Sequence, residues 1–190
     1  MTCEKRPRAL VPLKRVRFRL VGLLLVCAAT AAHAAVYMTQ QEALEKAFPG
    51  ATIERRVVTL TDEQLARVKA QAGRPEPSAL VFVYEARRDG GLVGTAYFDV
   101  HRVHSLDQTL MIVVAPDGRV HSVEVLAFKE PPKYLAPKAW LDQFPGRALD
   151  DGLNLRKDIQ GITGATLTAR ATTKAVRRAL AIHSVISEGR

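Results

Sequence analysis

Near the end of the 190-residue chain, Thr163-Gly164-Ala165-Thr166-Leu167-Thr168 gathers three hydroxyls around one glycine, just ahead of a basic run with helical character. Threonine is a poor helix-interior residue and a common cap, so Thr166 or Thr168 can serve as the N-cap of a last helix, with Gly164 permitting a tight turn into it. The same hydroxyls are chemical handles. A threonine hydroxyl is unreactive at neutral pH and attacks phosphorus only when an outside base or metal activates it. Other reactive side chains are less well placed. His101 and His104 form an H-x-x-H pair, but residues three apart on a strand face opposite sides, which argues against joint metal ligation. His121 and His183 are isolated, and Asp150-Asp151 fits a solvated turn better than a cation site. No HExxH, P-loop, GxGxxG or nucleophile-elbow pattern is present, and Gly90-Gly91-Leu92-Val93-Gly94 belongs to a hairpin. No catalytic constellation and no metal site is therefore expected.

The six residues Thr163–Thr168 resemble the [Ser/Thr]-Gly-Ala-[Ser/Thr]-x-[Ser/Thr] motif of FMN-binding domains with covalently attached flavin, such as the small FMN-bearing subunits of Rnf- and Nqr-type electron-transport complexes. The resemblance extends over about residues 79–185. It implies that FMN is esterified through its phosphate to the last hydroxyl, here Thr168, by a separate flavin transferase, with Thr166 as second choice. Thr163, Gly164, Ala165 and Leu167 would frame the acceptor. It also implies that Glu130-Pro131-Pro132-Lys133-Tyr134 corresponds to a Glu-x-Pro loop near the flavin, which makes Glu130 and Tyr134 candidates for the ring pocket. Many members carry an acid three positions ahead of the Ser/Thr-Gly-Ala; here that position is Gln160, and the nearest acid is Asp158. The chemistry is consistent with the motif. Small residues at 164 and 165 leave the hydroxyl open to an enzyme, and a helix N-terminus suits the anionic phosphodiester.

The elements that must position these residues can be read from turn and cap signals. Thr39-Gln40-Gln41-Glu42 and Thr61-Asp62-Glu63-Gln64 are capping-box patterns that open helices to about Ala47 and Ala72. Between them, residues 51–60 look extended, and residues 73–78 read as a linker. Residues 79–87 and 92–103 flank Asp89-Gly90, and 108–115 and 119–128 flank Pro116-Asp117-Gly118, which predicts four consecutive antiparallel strands. A short helix over Lys138–Phe144 follows, with Trp140 read as core, and a last helix runs from about Thr168 to Ile186. Val176, Ala179, Leu180, His183 and Ile186 form its apolar stripe. Arg170, Lys174, Arg177 and Arg178 read as a solvated basic face, or as charges that raise a flavin's potential. The expected class is α+β: an antiparallel sheet of about four or more strands with packed helices, the last after the motif.

Residues 1–34 read as a signal peptide, with a basic start, an apolar stretch from Leu20 to about Thr30 and a small-x-small site at Ala32-His33-Ala34. A membrane anchor is the alternative, although the apolar stretch is short for a span. The remainder divides into a segment 35–78 and the FMN-binding domain, 79–190. The leader has seven Lys/Arg and one Glu, so it holds +6 of the total +9 and leaves +3 for the rest. The basicity therefore says little about nucleic acid, and none is expected as a partner. Both cysteines, Cys3 and Cys27, lie in the leader, which excludes disulfides, cysteine-bound clusters and CxxCH haem from residues 35–190. The expectation is a periplasmic, covalent FMN electron carrier rather than a stand-alone enzyme, working with a membrane or periplasmic redox partner. The rivals are a flavin-dependent reductase of a small substrate, and a non-redox binding module in which the threonines only cap a helix.

Overall fold

A computed structural model describes residues 35–73 and 78–188, so the leader and most of the expected linker lie outside the described residues. In chain order the elements are β1 (Ala35–Val36), α1 (Gln40–Ala47), β2 (Thr52–Thr59), α2 (Asp62–Ala72), β3 (Leu80–Arg88), β4 (Gly91–Arg102), β5 (Asp107–Val114), β6 (Val120–Phe128), a 3₁₀ turn (Pro132–Tyr134), α3 (Lys138–Leu141) and α4 (Thr166–Ser187). The six strands form one sheet in the order β1-β6-β5-β4-β3-β2, and every pairing is antiparallel. The α+β class and the presence of a C-terminal helix are as expected. The four central strands fall within a residue or so of their expected bounds, because Asp89-Gly90 and Pro116-Asp117-Gly118 set both hairpins locally. Segment 35–73 supplies the two edges, β1 and β2.

Both capping boxes form. Thr39 and Glu42 exchange side-chain and backbone bonds at the start of α1, and Thr61 and Gln64 do the same at α2. Strand β5 lies inside the sheet, and its run Leu110-Met111-Ile112-Val113-Val114 is buried on both faces. Leu110, Ile112 and Val114 face a core shared with Val68 of α2 and Val176 and Leu180 of α4. Met111 and Val113 face the opposite way and meet Leu44 and Phe48 in and just after α1. Gly94 of β4 is required there: a Cβ at this position would lie 2.8 Å from the Phe48 ring.

Helix α4 departs from expectation at its start. It begins at Thr166, two residues before the expected Thr168, and its N-cap is Ala165, with no side-chain cap bond. The capping reading of the threonine cluster is thereby corrected, since no threonine caps the helix. The basic face is corrected as well. Arg170 and Lys174 are exposed, but Arg178 is only 5% exposed and pairs with the buried Asp99 of β4. Arg177 donates to the carbonyls of Asp150, Leu153 and Gln71 at 2.6, 3.1 and 2.7 Å. The apolar stripe of α4 is buried as expected. Helix α3 ends at Leu141, short of the expected Phe144, with Pro145-Gly146 closing the segment.

Candidate functional site

The motif turns into α4 through Gly164, whose φ of +80° is the left-handed conformation that a glycine adopts at least cost. The N–H of Ala165 donates to the carbonyl of Ile162 at 3.1 Å and closes that turn. The helix then starts at once, so Thr166, Leu167 and Thr168 are its first three residues, whose N–H groups have no intrahelical acceptor. Thr166 is exposed and Leu167 is 45% exposed, whereas Thr168 turns inward and is 1% exposed. The Thr168 hydroxyl donates to the carbonyl of Tyr134 at 2.6 Å, tying the first turn of α4 to the 3₁₀ turn that follows the sheet.

Glu130 and Tyr134 do come to the same place. A cavity of about 380 Å³ is lined by Val103, His104, Glu130, Tyr134, Gly164, Ala165, Thr166, Leu167 and Thr168. Of the eight residues proposed from the sequence for the flavin site, Thr163 alone stands outside the lining. Glu130 is 6% exposed, and one carboxylate oxygen accepts the N–H groups of Ser105 at 2.6 Å, Leu106 at 2.7 Å and His104 at 3.2 Å. The Leu106 N–H is foremost in holding the Glu130 carboxyl below its ordinary pKa; burial opposes it, and the Ser105 and His104 N–H groups reinforce it. Glu130 therefore pins the β4–β5 turn that carries Val103 and His104 to the cavity. Those two residues escaped the sequence reading, which weighed His104 only as a metal ligand. The one available signal was the short polar connection between two strong strands.

The approach to the motif is fixed from below. Trp140 is buried, packs edge-on against Phe144, and donates from Nε1 to the carbonyl of Gln160 at 2.7 Å. The Gln160 N–H donates to Gln143 Oε1 at 2.9 Å. Residue 160 is thus anchored through its backbone, while Asp158 is occupied by Arg147 at 3.1 Å. His101 is buried away from His104, with Nδ1 2.7 Å from Asp99 Oδ1 and Nε2 3.3 Å from Gln108 Oε1. Asp150 serves a turn, accepting the Leu153 N–H at 3.0 Å. Among the described residues no group of three or more His, Cys, Asp or Glu is placed to hold a metal ion.

This arrangement offers an apolar-walled recess with a hydroxyl, a phenol, an imidazole and an uncapped helix N-terminus around it. Comparison with known proteins agrees with that chemistry. Residues 105–181 match the model of the FMN-binding domain family, a span that contains Glu130, Tyr134 and the whole motif. Over 92% of its length the chain is 25% identical to a subunit of the Na(+)-translocating ferredoxin:NAD(+) oxidoreductase complex of Acetobacterium woodii, covering 95% of that protein. It is 38% identical to the corresponding component of the proton-translocating ferredoxin:NAD(+) oxidoreductase complex of Clostridium ljungdahlii, over 37% of this chain and 43% of that one. It is 36% identical to the like-named component of the ion-translocating oxidoreductase complex of Stutzerimonas stutzeri, over 53% of this chain and 50% of that one. The likeness to the FMN-binding domain family thus lies over residues 105–181, the span that carries most of the recess lining.

Proposed function

We propose that the protein is an exported electron carrier with FMN esterified through its phosphate to Thr168, passing electrons between membrane or periplasmic redox partners. One observation carries the reading: within the segment that matches the FMN-binding family, Gly164 to Thr168 form one wall of a cavity whose other walls include Glu130 and Tyr134. The cavity volume of about 380 Å³ suits a small-molecule site, for which about 300–1,000 Å³ is usual. Val103, Tyr134 and Leu167 are the residues suited to contact an aromatic ring. The N–H groups of the first turn of α4 would face the phosphodiester, where the helix dipole favours negative charge. When bound, FMN supplies reversible electron transfer.

The chain's own residues set the conditions. The Thr168 hydroxyl lines the cavity but is committed to the Tyr134 carbonyl, and among the described residues no side-chain base accepts a hydrogen bond from it. It therefore does not react unaided, which supports modification by a separate flavin transferase. That step forms the Thr168 Oγ–phosphorus bond, breaks the flavin donor's phosphoanhydride bond, and passes the hydroxyl proton to a base of the transferase. Once esterified, Thr168 no longer donates to Tyr134. Thr166, the second-choice acceptor, is more accessible but occupies the first helical position.

Export rests on the leader, with its basic start, apolar stretch and small-x-small site at Ala32-His33-Ala34. Among the described residues no helix is long and apolar enough to cross a membrane. The relatives are named as subunits of multi-subunit ion-translocating oxidoreductases, which supports assembly with other redox subunits.

Mass spectrometry tests the reading. Protein made in cells with an active flavin transferase is expected to be heavier by FMN less one water, with the adduct mapped to Thr168 and absent from Thr168→Ala. An unmodified mass despite an active transferase, or an adduct that persists in Thr168→Ala, overturns the assignment.

A further inference from the structure

Thr166 lines two cavities. One is the recess described above; the other, about 450 Å³, has Arg156, Gly161, Arg170 and Lys174 in its walls and no acidic residue among those lining it. Arg156, Arg170 and Lys174 are exposed, and among the described residues none of the three makes a side-chain hydrogen bond or ion pair. Their neighbours behave differently, since Arg177 is satisfied by three carbonyls and Arg178 by Asp99. Arg170 and Lys174 are four residues apart on one helix face, a like-charge spacing that disfavours the helix. Arg156 is held at φ 65°, where non-glycine residues are uncommon. The N-terminal dipole of α4 adds positive potential at Thr166. Three unneutralised cations on one concave wall repel each other in the isolated protein and focus their field on an approaching anion.

We infer that this cleft is an electrostatic landing site for an anionic electron-transfer partner, a carboxylate-rich protein surface, held against the wall that the cleft shares with the flavin recess. The inference rests on the covalent-flavin reading above. It replaces the solvated-face reading for Arg170 and Lys174, and it adds Arg156, which lies outside α4.

The test has two arms, so that failure of the flavin reading and failure of this one are distinguishable. In the first, the reduced flavinylated protein is mixed with hexacyanoferrate(III) or with hexaammineruthenium(III), one electron passing to each metal complex. In R156E/R170E/K174E the second-order rate constant with hexacyanoferrate(III) is expected to fall by at least about tenfold, and that with hexaammineruthenium(III) to rise. Raising the salt should shrink both differences. In the second arm, the unflavinylated protein is titrated by NMR with redox-inert hexacyanocobaltate(III) and with poly-L-glutamate. Both are expected to shift the amides of Arg156, Gly161, Thr166, Arg170 and Lys174, and to do so in wild type but not in the triple variant. Equal loss of rate for both oxidants, or shifts that survive charge reversal, overturns the site. Shifts with hexacyanocobaltate(III) but none with poly-L-glutamate overturn the protein-surface assignment and leave a small-anion site. If no flavin is attached, the second arm still decides, because it does not use one.

Discussion

Glu130 shows how one side chain both lines a site and holds its neighbours in place. Three backbone N–H groups converge on a single carboxylate oxygen, and these bonds are stronger to the ionised form. The folded pKa is lowered, chiefly by the Leu106 N–H, from an unfolded value of about 4.3. The sign follows. Glu130 contributes stability that is fully present above about pH 4.3 and is lost as pH falls through the lower folded value. Glu130→Gln keeps the shape but removes the charge, so it should be less stable than wild type at neutral pH and lose less stability on acidification. Urea unfolding at pH 7 and at pH 3.5 checks this; parallel losses in the two proteins would refute it. Thr168 makes a second such anchor on the opposite wall, through the Tyr134 carbonyl, so the two walls of the recess are each held by one polar side chain.

At the scale of elements, the entry into α4 decides where the acceptor hydroxyl points. A side chain at residue 164 meets nothing within 4 Å, so the constraint there is conformational and not steric. Gly164→Ala should therefore cost about 1 kcal/mol for the left-handed conformation alone. Urea unfolding reads that cost, and the fraction of protein carrying the flavin mass should fall with it if the turn presents Thr168 to the transferase. Full flavinylation of a destabilised Gly164→Ala would separate the turn from acceptor presentation. The start of α4 was also the place where sequence reasoning misplaced an element. Capping rules look for a threonine, but Ala165 takes the cap position, and burial of Thr168 and Ala169 sets the helix start instead. The hairpins were legible because Asp89-Gly90 and Pro116-Asp117-Gly118 act within four residues. Two-residue β1 is too short to leave a period, and its partners Ala127 and Phe128 lie more than ninety positions away. The motif, Glu130 and Tyr134 were legible through family resemblance; Val103 and His104 were not, because their turn is held at the recess by Glu130, whose bonds reach back 24 to 26 positions.

Across the whole molecule, the sheet and α4 are joined by charge as well as by apolar packing. Asp99 of β4 and Arg178 of α4 are 6% and 5% exposed, and Asp99 also meets His101, which in turn meets Gln108; Thr172 of α4 donates to that same Gln108 oxygen at 3.4 Å. Burial works to raise the pKa of Asp99, but His101 and Arg178 together outweigh it and hold the carboxyl below its ordinary value. A reading of charge along one helix assigns Arg178 to solvent because its acidic partner lies 79 residues earlier. This polar chain spans the interface between the helix that begins within the motif and the strand that leads to the recess. Arg178→Met leaves a buried carboxylate without its guanidinium and should destabilise the protein by about 3 kcal/mol at pH 7. Asp99→Asn added to Arg178→Met removes the stranded charge and should restore about 1 kcal/mol or more, because the larger part of such a loss is the desolvation of the group left behind. Urea unfolding of the two variants at pH 7 measures the difference directly. A double variant no more stable than Arg178→Met alone would mean that packing of the arginine stem, and not charge, joins α4 to the sheet.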